Sequence, residues 1–349
     1  MDSKMLPPTV KEASDGFIRF AEDDTVRTST LYSLLATAIA QDEELLAIAV
    51  NSAKAQRELL LFASVHFLLL KGAQSPLKDF YGTLSKDVSG SEAAYPFFRK
   101  FCLDHSHEII PLLKSKKVQT NEVLRCACLL PAFGEILRRT DYAPLFLIEI
   151  GPSAGLNLHW DQYVHYYSDG SFFGEPSSPV ILNCENRGDT ALPLPIQKPV
   201  IAGKTGLELH PVNLNNPYES LWLQALVWPD KYERMMRLKN AIEVAKKHPL
   251  EIVSGDVLET LDNVLSTIPE GATPCIYHSF VLYQFSQGSV LKLEEQMKRA
   301  SHKRDLFCIG MGNRDKKEVE IWLETYSNGE RINETLANCQ GHGAWIEWK

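Results

Sequence analysis

The chain has 349 residues, 44% hydrophobic and 23% charged, with a formal net charge of −8. This is the balance of a globular protein with one large domain or two ordinary ones. The negative balance opposes a chain-wide attraction to phosphate backbones, so nucleic acid is not expected as a partner. Seven cysteines form no Cys-x-x-Cys pair, which suggests neither a disulfide framework nor a metal cage.

In chain order, residues 1–8 lack both the apolar stretch and the small-residue cleavage site of a secretory signal. From 14 to 139 the apolar residues recur at helical spacing, as in Leu31, Leu34, Leu35 and Ile39, with breaks at 72–76 and 89–91. The run 59–70 carries Ser64 and His66 and is only about half of the ~20 residues that cross a bilayer, so it reads as a buried helix. The expectation is a cytoplasmic protein without membrane contact, whose residues 1–140 form an all-helical domain.

At Pro144 the texture changes. Leu145-Phe146-Leu147-Ile148-Glu149-Ile150 is nearly continuous in apolar residues and ends in a glycine loop, as a parallel strand buried on both faces does. Further strands are expected at 206–209, 250–254, 274–278 and 306–310, with helices over 232–247 and 290–300 between them, an alternation that implies βαβ units and a mostly parallel sheet. Near the C-terminus Val319, Ile321 and Leu323 alternate with largely polar neighbours, Asn328-Gly329 makes a turn, and 344–348 is strand-like again, which predicts an antiparallel pair closing the sheet edge. Residues 168–203, rich in proline, glycine and serine, read as a surface insertion in this second domain, 141–349.

The loop Glu149-Ile150-Gly151-Pro152-Ser153-Ala154-Gly155 leads toward a helix near Leu156 and has two chemical readings. In one, the glycines let backbone approach a nucleotide-like ligand and the following helix N-terminus offers unpaired N–H groups. In the other, Gly151 to Gly155 is the G-x-S-x-G elbow of an α/β-hydrolase, with Ser153 as the nucleophile of an esterase. Nearly everything upstream is helical, whereas a hydrolase elbow follows several strands and an oxyanion loop, so position favours the cofactor cradle. A tight turn without a ligand stays open, and so, separately, does a non-catalytic nucleotide-binding protein that keeps the fold. Two later strands end in polar tips, at Gly255-Asp256-Val257 and at His278-Ser279, and ligands of open α/β sheets bind at such tips. An isolated Gly-Asp is equally a helix N-cap.

Taken in order, the glycine loop, Gly206-Leu207-Glu208-Leu209, Gly255-Asp256 and the strand ending at His278-Ser279 look like the successive motifs of class I S-adenosylmethionine-dependent methyltransferases. The whole chain more closely resembles an uncharacterised bacterial family with a methyltransferase-like core. That closer match rests on Gln119-Thr120-Asn121-Glu122, Ser153-Ala154-Gly155-Leu156-Asn157-Leu158, Val227-Trp228-Pro229-Asp230, residues 253–256, His278-Ser279 and His342-Gly343 with Trp345. The resemblance implies a Rossmann-like α/β core behind the helical domain, S-adenosylmethionine as cofactor, and a small molecule or a protein as methyl acceptor. It implies Glu149, Gly151, Ser153 and Gly155 beside the methionyl part, Glu208 on the ribose hydroxyls, and Asp256 with Val257 at the adenine. Ser153 stands where many of these enzymes have a glycine, and Glu208 lies far beyond the usual ~20-residue interval. If a general base is required, His278 is placed to act as one. Asn121, Glu122 and Arg125, on one stretch just before the core, are candidate substrate contacts, although an i, i+4 spacing is also that of a solvated helix face.

Overall fold

A computed structural model describes residues 8–23, 28–53, 55–314 and 318–349. The chain divides into two compact units, one of residues 1–120 with 216–236, the other of 121–215 with 237–349.

The first unit realises the helical periodicity. It contains α1 (Pro8–Glu22), α2 (Thr30–Ile39), α3 (Glu43–Ala49), α4 (Arg57–Lys71), α5 (Tyr95–Asp104) and α6 (Ser106–Ser115). The run expected as a buried helix is α4, which buries nearly every side chain from Leu60 to Leu69 and ends at Gly72 with φ +117. A helix apolar on all sides must be surrounded by others, and Tyr32 of α2 stacks on its Phe62 at 4.2 Å. No helix among the described residues is long and apolar enough to cross a membrane. Trp222, Ala225 and Leu226 join this core, so α8 (Pro217–Ala225) belongs here despite its late place in the chain. The next helix, α9 (Tyr232–Lys247), spans the residues expected of it.

In the second unit the strands are β1 (Leu145–Ile150), β2 (Val164–Tyr167), β3 (Phe172–Phe173), β4 (Ile181–Asn186), β5 (Ile201–Glu208) and β6 (Glu251–Ser254). They continue with β7 (Thr273–Ser279), β8 (Leu306–Gly312), β9 (Val319–Ser327), β10 (Glu330–Cys339) and β11 (Trp345–Trp348). They form one sheet in the order β3-β2-β4-β11-β10-β9-β8-β7-β1-β5-β6. The run β6-β5-β1-β7-β8 is parallel throughout, and its sequence order reverses between β1 and β7. Helices α7 (Arg125–Arg139), α10 (Val257–Thr267) and α11 (Gln287–Ser301) complete the unit. Ile148, Ile150 and Ile276 pack with Leu261 of α10 and Leu293 of α11 on one sheet face, while Phe133 of α7 meets Tyr277 edge-on at 5.2 Å on the other.

Three expectations need correction. The 168–203 segment is not merely a surface insertion, because β3 and β4 extend the sheet, and β4 buries alternate residues Leu182 and Cys184. For the same reason the antiparallel C-terminal strands do not close an edge: β9 pairs with both β8 and β10, and β11 passes the sheet on to β4. Helix α7, grouped by periodicity with the N-terminal helices, lies in the second unit.

Candidate functional site at the carboxyl ends of β1 and β5

The loop after β1 turns by means of three left-handed residues, Gly151 (φ +67), Ser153 (φ +57) and Gly155 (φ +76). A Cβ on Gly151 would lie 2.7 Å from Val281 Cγ2, so backbone angle and packing both require glycine there. Ser153 tolerates its strained angle because its N–H donates to Glu208 Oε2 at 2.9 Å, and His210 N–H donates to Oε1 at 3.1 Å. Glu208, the last residue of β5, therefore pins the loop from the neighbouring strand. Beyond the loop the chain does not enter an α-helix: Leu156–Gln162 is a 3-10 segment broken at His159. Its first amide, Leu156 N–H, donates to Asn121 Oδ1 at 3.2 Å.

Strand pairing decides which predicted residues meet. Glu149 pairs with Tyr277, and Ile150 pairs with His278. Since successive residues of a strand face opposite ways, Glu149 and Tyr277 share one face and His278 takes the other. Glu149 is 2% exposed. Burial pushes its carboxyl up to about 8, with the charge of Glu208 adding to the rise, while hydrogen bonds from Tyr277 and Asn157 and the charge of Arg125 oppose it. The Tyr277 hydroxyl donates to Glu149 Oε2 at 3.4 Å.

Arg125 opens α7 and is held in three ways: Nε donates to the Gly341 carbonyl at 2.9 Å, Nη1 donates to Ser279 Oγ at 3.4 Å, and the guanidinium lies 4.4 Å from the Phe280 ring centre. Asn121 and Glu122 precede α7 rather than forming part of it. Glu122 is buried, accepts from Leu124 N–H at 3.2 Å, and lies 3.8 Å from Arg237 Nη1 and 3.5 Å from His342 Nδ1.

His278 packs edge-on against Trp322, ring centres 5.5 Å apart. Burial pulls it down to about 4, so it is neutral at pH 7, and no group among the described residues hydrogen-bonds its Nδ1. Asp256 is exposed and caps α10 by accepting from Leu258 N–H at 2.9 Å. Val257 is buried in the core between α10 and the sheet. The structure thus brings Asn121, Arg125, Glu149, Gly151, Ser153, Gly155 and Glu208 around one loop. It places Asp256 and Val257 at the end of the edge strand β6, and His278 on the opposite face from Glu149. Tyr277 and Asn157 receive no role from the sequence, because alternation along a strand reveals parity but not which neighbouring side chain shares it.

A family model described as an uncharacterized protein conserved in bacteria (DUF2332) matches residues 14–348. The chain belongs to this DUF2332 family. No curated protein and no solved structure matches it. The matched segment includes residues of both units of this DUF2332 protein.

Proposed function

We propose that this DUF2332 protein is an S-adenosylmethionine-dependent methyltransferase with a Rossmann-like core, acting on a small molecule or a protein. The observation that carries this reading is the glycine loop, left-handed at three positions, placed where the strand order reverses and tied to an acid at the end of the next strand. Open α/β sheets bind ligands outside the carboxyl ends of their strands at such a reversal.

The residues present fit the cofactor. A carboxylate accepts at about four lone-pair positions, so Glu208 can hold the loop and receive ribose hydroxyls. Val257 contributes one of the first-turn amides that a helix cannot satisfy internally, beside the carboxylate of Asp256, a donor and an acceptor suited to an adenine edge. The buried carboxyl of Glu149 gains from the arrival of an ammonium group, which favours its charged form. S-adenosylmethionine, when bound, supplies a methyl group already activated by its sulfonium. The chain's share is then alignment and exclusion of water. Arg125 fixes the Ser279-Phe280 turn and Asn121 fixes Leu156, so the acceptor side is held by side chains that are themselves anchored. His278, the candidate proton acceptor, is kept unprotonated at pH 7 by burial, but it packs against Trp322 on the sheet face opposite Glu149, so this reading gives it no proton-transfer step.

The left-handed angle of Ser153 would equally suit a hydrolase nucleophile. Against that reading, the N–H of Ser153 is given to a carboxylate, and His278 lies on the far face of the sheet from Glu149. Isothermal titration with S-adenosylmethionine and S-adenosylhomocysteine tests the proposal. One-to-one binding of both, weakened at least ten-fold by Glu208→Gln in a protein that keeps its melting temperature, supports it. Absence of binding by the folded wild type rejects it.

A further inference from the structure

A methyltransferase-like core ordinarily follows its glycine loop with an α-helix that covers the sheet. Here the 3-10 segment Leu156–Gln162 takes that place, and His159, at φ −99 and ψ 16, breaks even that short helix. A pocket of about 250 Å³ opens behind the loop, between residues 211–215, the end of α9 and β6. Its apolar lining includes Ala154, Leu214, Leu250 and Ile252, the amides Asn213 and Asn215 stand at its exposed side, and no carboxylate lines it.

His159 is its buried polar group, 2% exposed, with no partner for Nδ1 among the described residues. Burial pulls this imidazole down to about 4, and the nearby charge of Lys204 acts in the same sense. Lys204 is itself paired with Asp161. At pH 7 the pocket therefore offers a neutral imidazole, with one N–H and one bare nitrogen, beside apolar side chains and the uncharged amides of Asn213 and Asn215. Lys246 at the lining is paired with Glu243 at 3.2 Å.

These features select a ligand. A cation would meet Lys246 and no acid, and an anion would find no charged donor at the inner histidine, whereas an uncharged ring carrying both a donor and an acceptor can match the imidazole. Drug-sized pockets run from roughly 300 to 1,000 Å³, so this one suits a single small ring system. We propose that the pocket behind the glycine loop is a binding site for a small, uncharged nitrogen heteroaromatic of purine or indole size, with His159 as its polar contact. The pocket shares Ala154 of the glycine loop with the proposed cofactor site, but its histidine and its walls at 211–215 and 249–252 are not among the residues assigned to the cofactor.

The test is titration of the full chain with adenine and with indole, beside benzoate and benzylammonium as charged rings of similar size. Saturable binding of adenine or indole is expected, at least ten-fold tighter than either charged ring. His159→Phe and Leu214→Trp should each weaken it at least ten-fold while the melting temperature holds. Leu214 lies in a loop, so its variant carries the test if His159→Phe does not fold. Absence of heteroaromatic binding, equal binding of benzoate, or wild-type affinity in folded Leu214→Trp overturns the proposal. S-adenosylhomocysteine titrated into Leu214→Trp separates the two sites: retained affinity there supports two sites, and displacement of the ring by S-adenosylhomocysteine in the wild type overturns the second one. Failure of S-adenosylhomocysteine to bind at all rejects the methyltransferase reading and leaves the ring result standing.

Discussion

Replacing Glu149 with glutamine should remove the pH dependence that this one carboxyl imposes on the second unit. Its folded-state pKa is raised from 4.5 to about 8, chiefly by burial. The folded protein therefore holds the proton more tightly than the unfolded chain. The associated stability is fully present below about 4.5 and is lost as the pH climbs through 8. At about 1.4 kcal/mol per pH unit, the loss over that window is about 5 kcal/mol, and most of it has accrued by pH 7. Glutamine matches the neutral acid in shape and can still accept from Tyr277. Glu149→Gln should thus equal the wild type within about 1 kcal/mol at pH 5 and exceed it by several kcal/mol at pH 9. Urea unfolding from pH 5 to 9, followed by amide exchange of β1 peptides, measures this difference in the unit that holds the residue. Parallel pH profiles for the two proteins would refute the reasoning, because they would mean that Glu149 is ionised when folded.

His278 predicts the opposite slope. A histidine lowered from 6.5 to about 4 contributes stability that is present above 6.5 and lost as the pH falls toward 4. His278→Phe, tolerated beside Trp322, should therefore flatten the acid limb of a melting-temperature profile by the equivalent of about 3 kcal/mol. Gly151→Ala places a Cβ 2.7 Å from Val281 Cγ2 at φ +67, and thermal unfolding should show a loss of about 2 kcal/mol, part of which Val281→Ala restores. Asp256→Ala removes the cap of α10 and should cost about 1 kcal/mol in chemical unfolding. Arg125→Lys should fail to restore what Arg125→Ala loses, since an ammonium cannot reproduce the fork that joins Gly341, Ser279 and the Phe280 face. Comparative melting of the two variants checks this.

Much of the second unit was legible because its strands declare themselves locally. Leu145 to Ile150 could only be a strand buried on both faces, and Asn328-Gly329 supplies two left-handed residues, φ +49 and +84, to the β9–β10 turn. The helix over 232–247 was readable from spacing alone. What spacing does not encode is the partner. Trp222 and Ala225 lie on a helix whose pattern demands a core without saying which, and that core is the one built by residues 13–113. The alternation at Ile181, Leu182, Asn183 and Cys184 was hidden among prolines and glycines, although it adds a strand to the sheet. At the candidate site, residue type and place single out the glycine loop and Arg125, and the resemblance adds Glu208, whose carboxylate accepts from Ser153 in the loop. The separation of Glu149 from His278 needed the register, because one residue decides the face.

The central claim is that a nucleoside-bearing cofactor lies across the glycine loop and the end of β5. A crystal structure grown with S-adenosylhomocysteine tests it most directly. The account predicts density along residues 151–155, with the ribose at Glu208 and the adenine beside Asp256 and Val257. A well-ordered, ligand-free loop at saturating S-adenosylhomocysteine, or density lodged elsewhere, would contradict it.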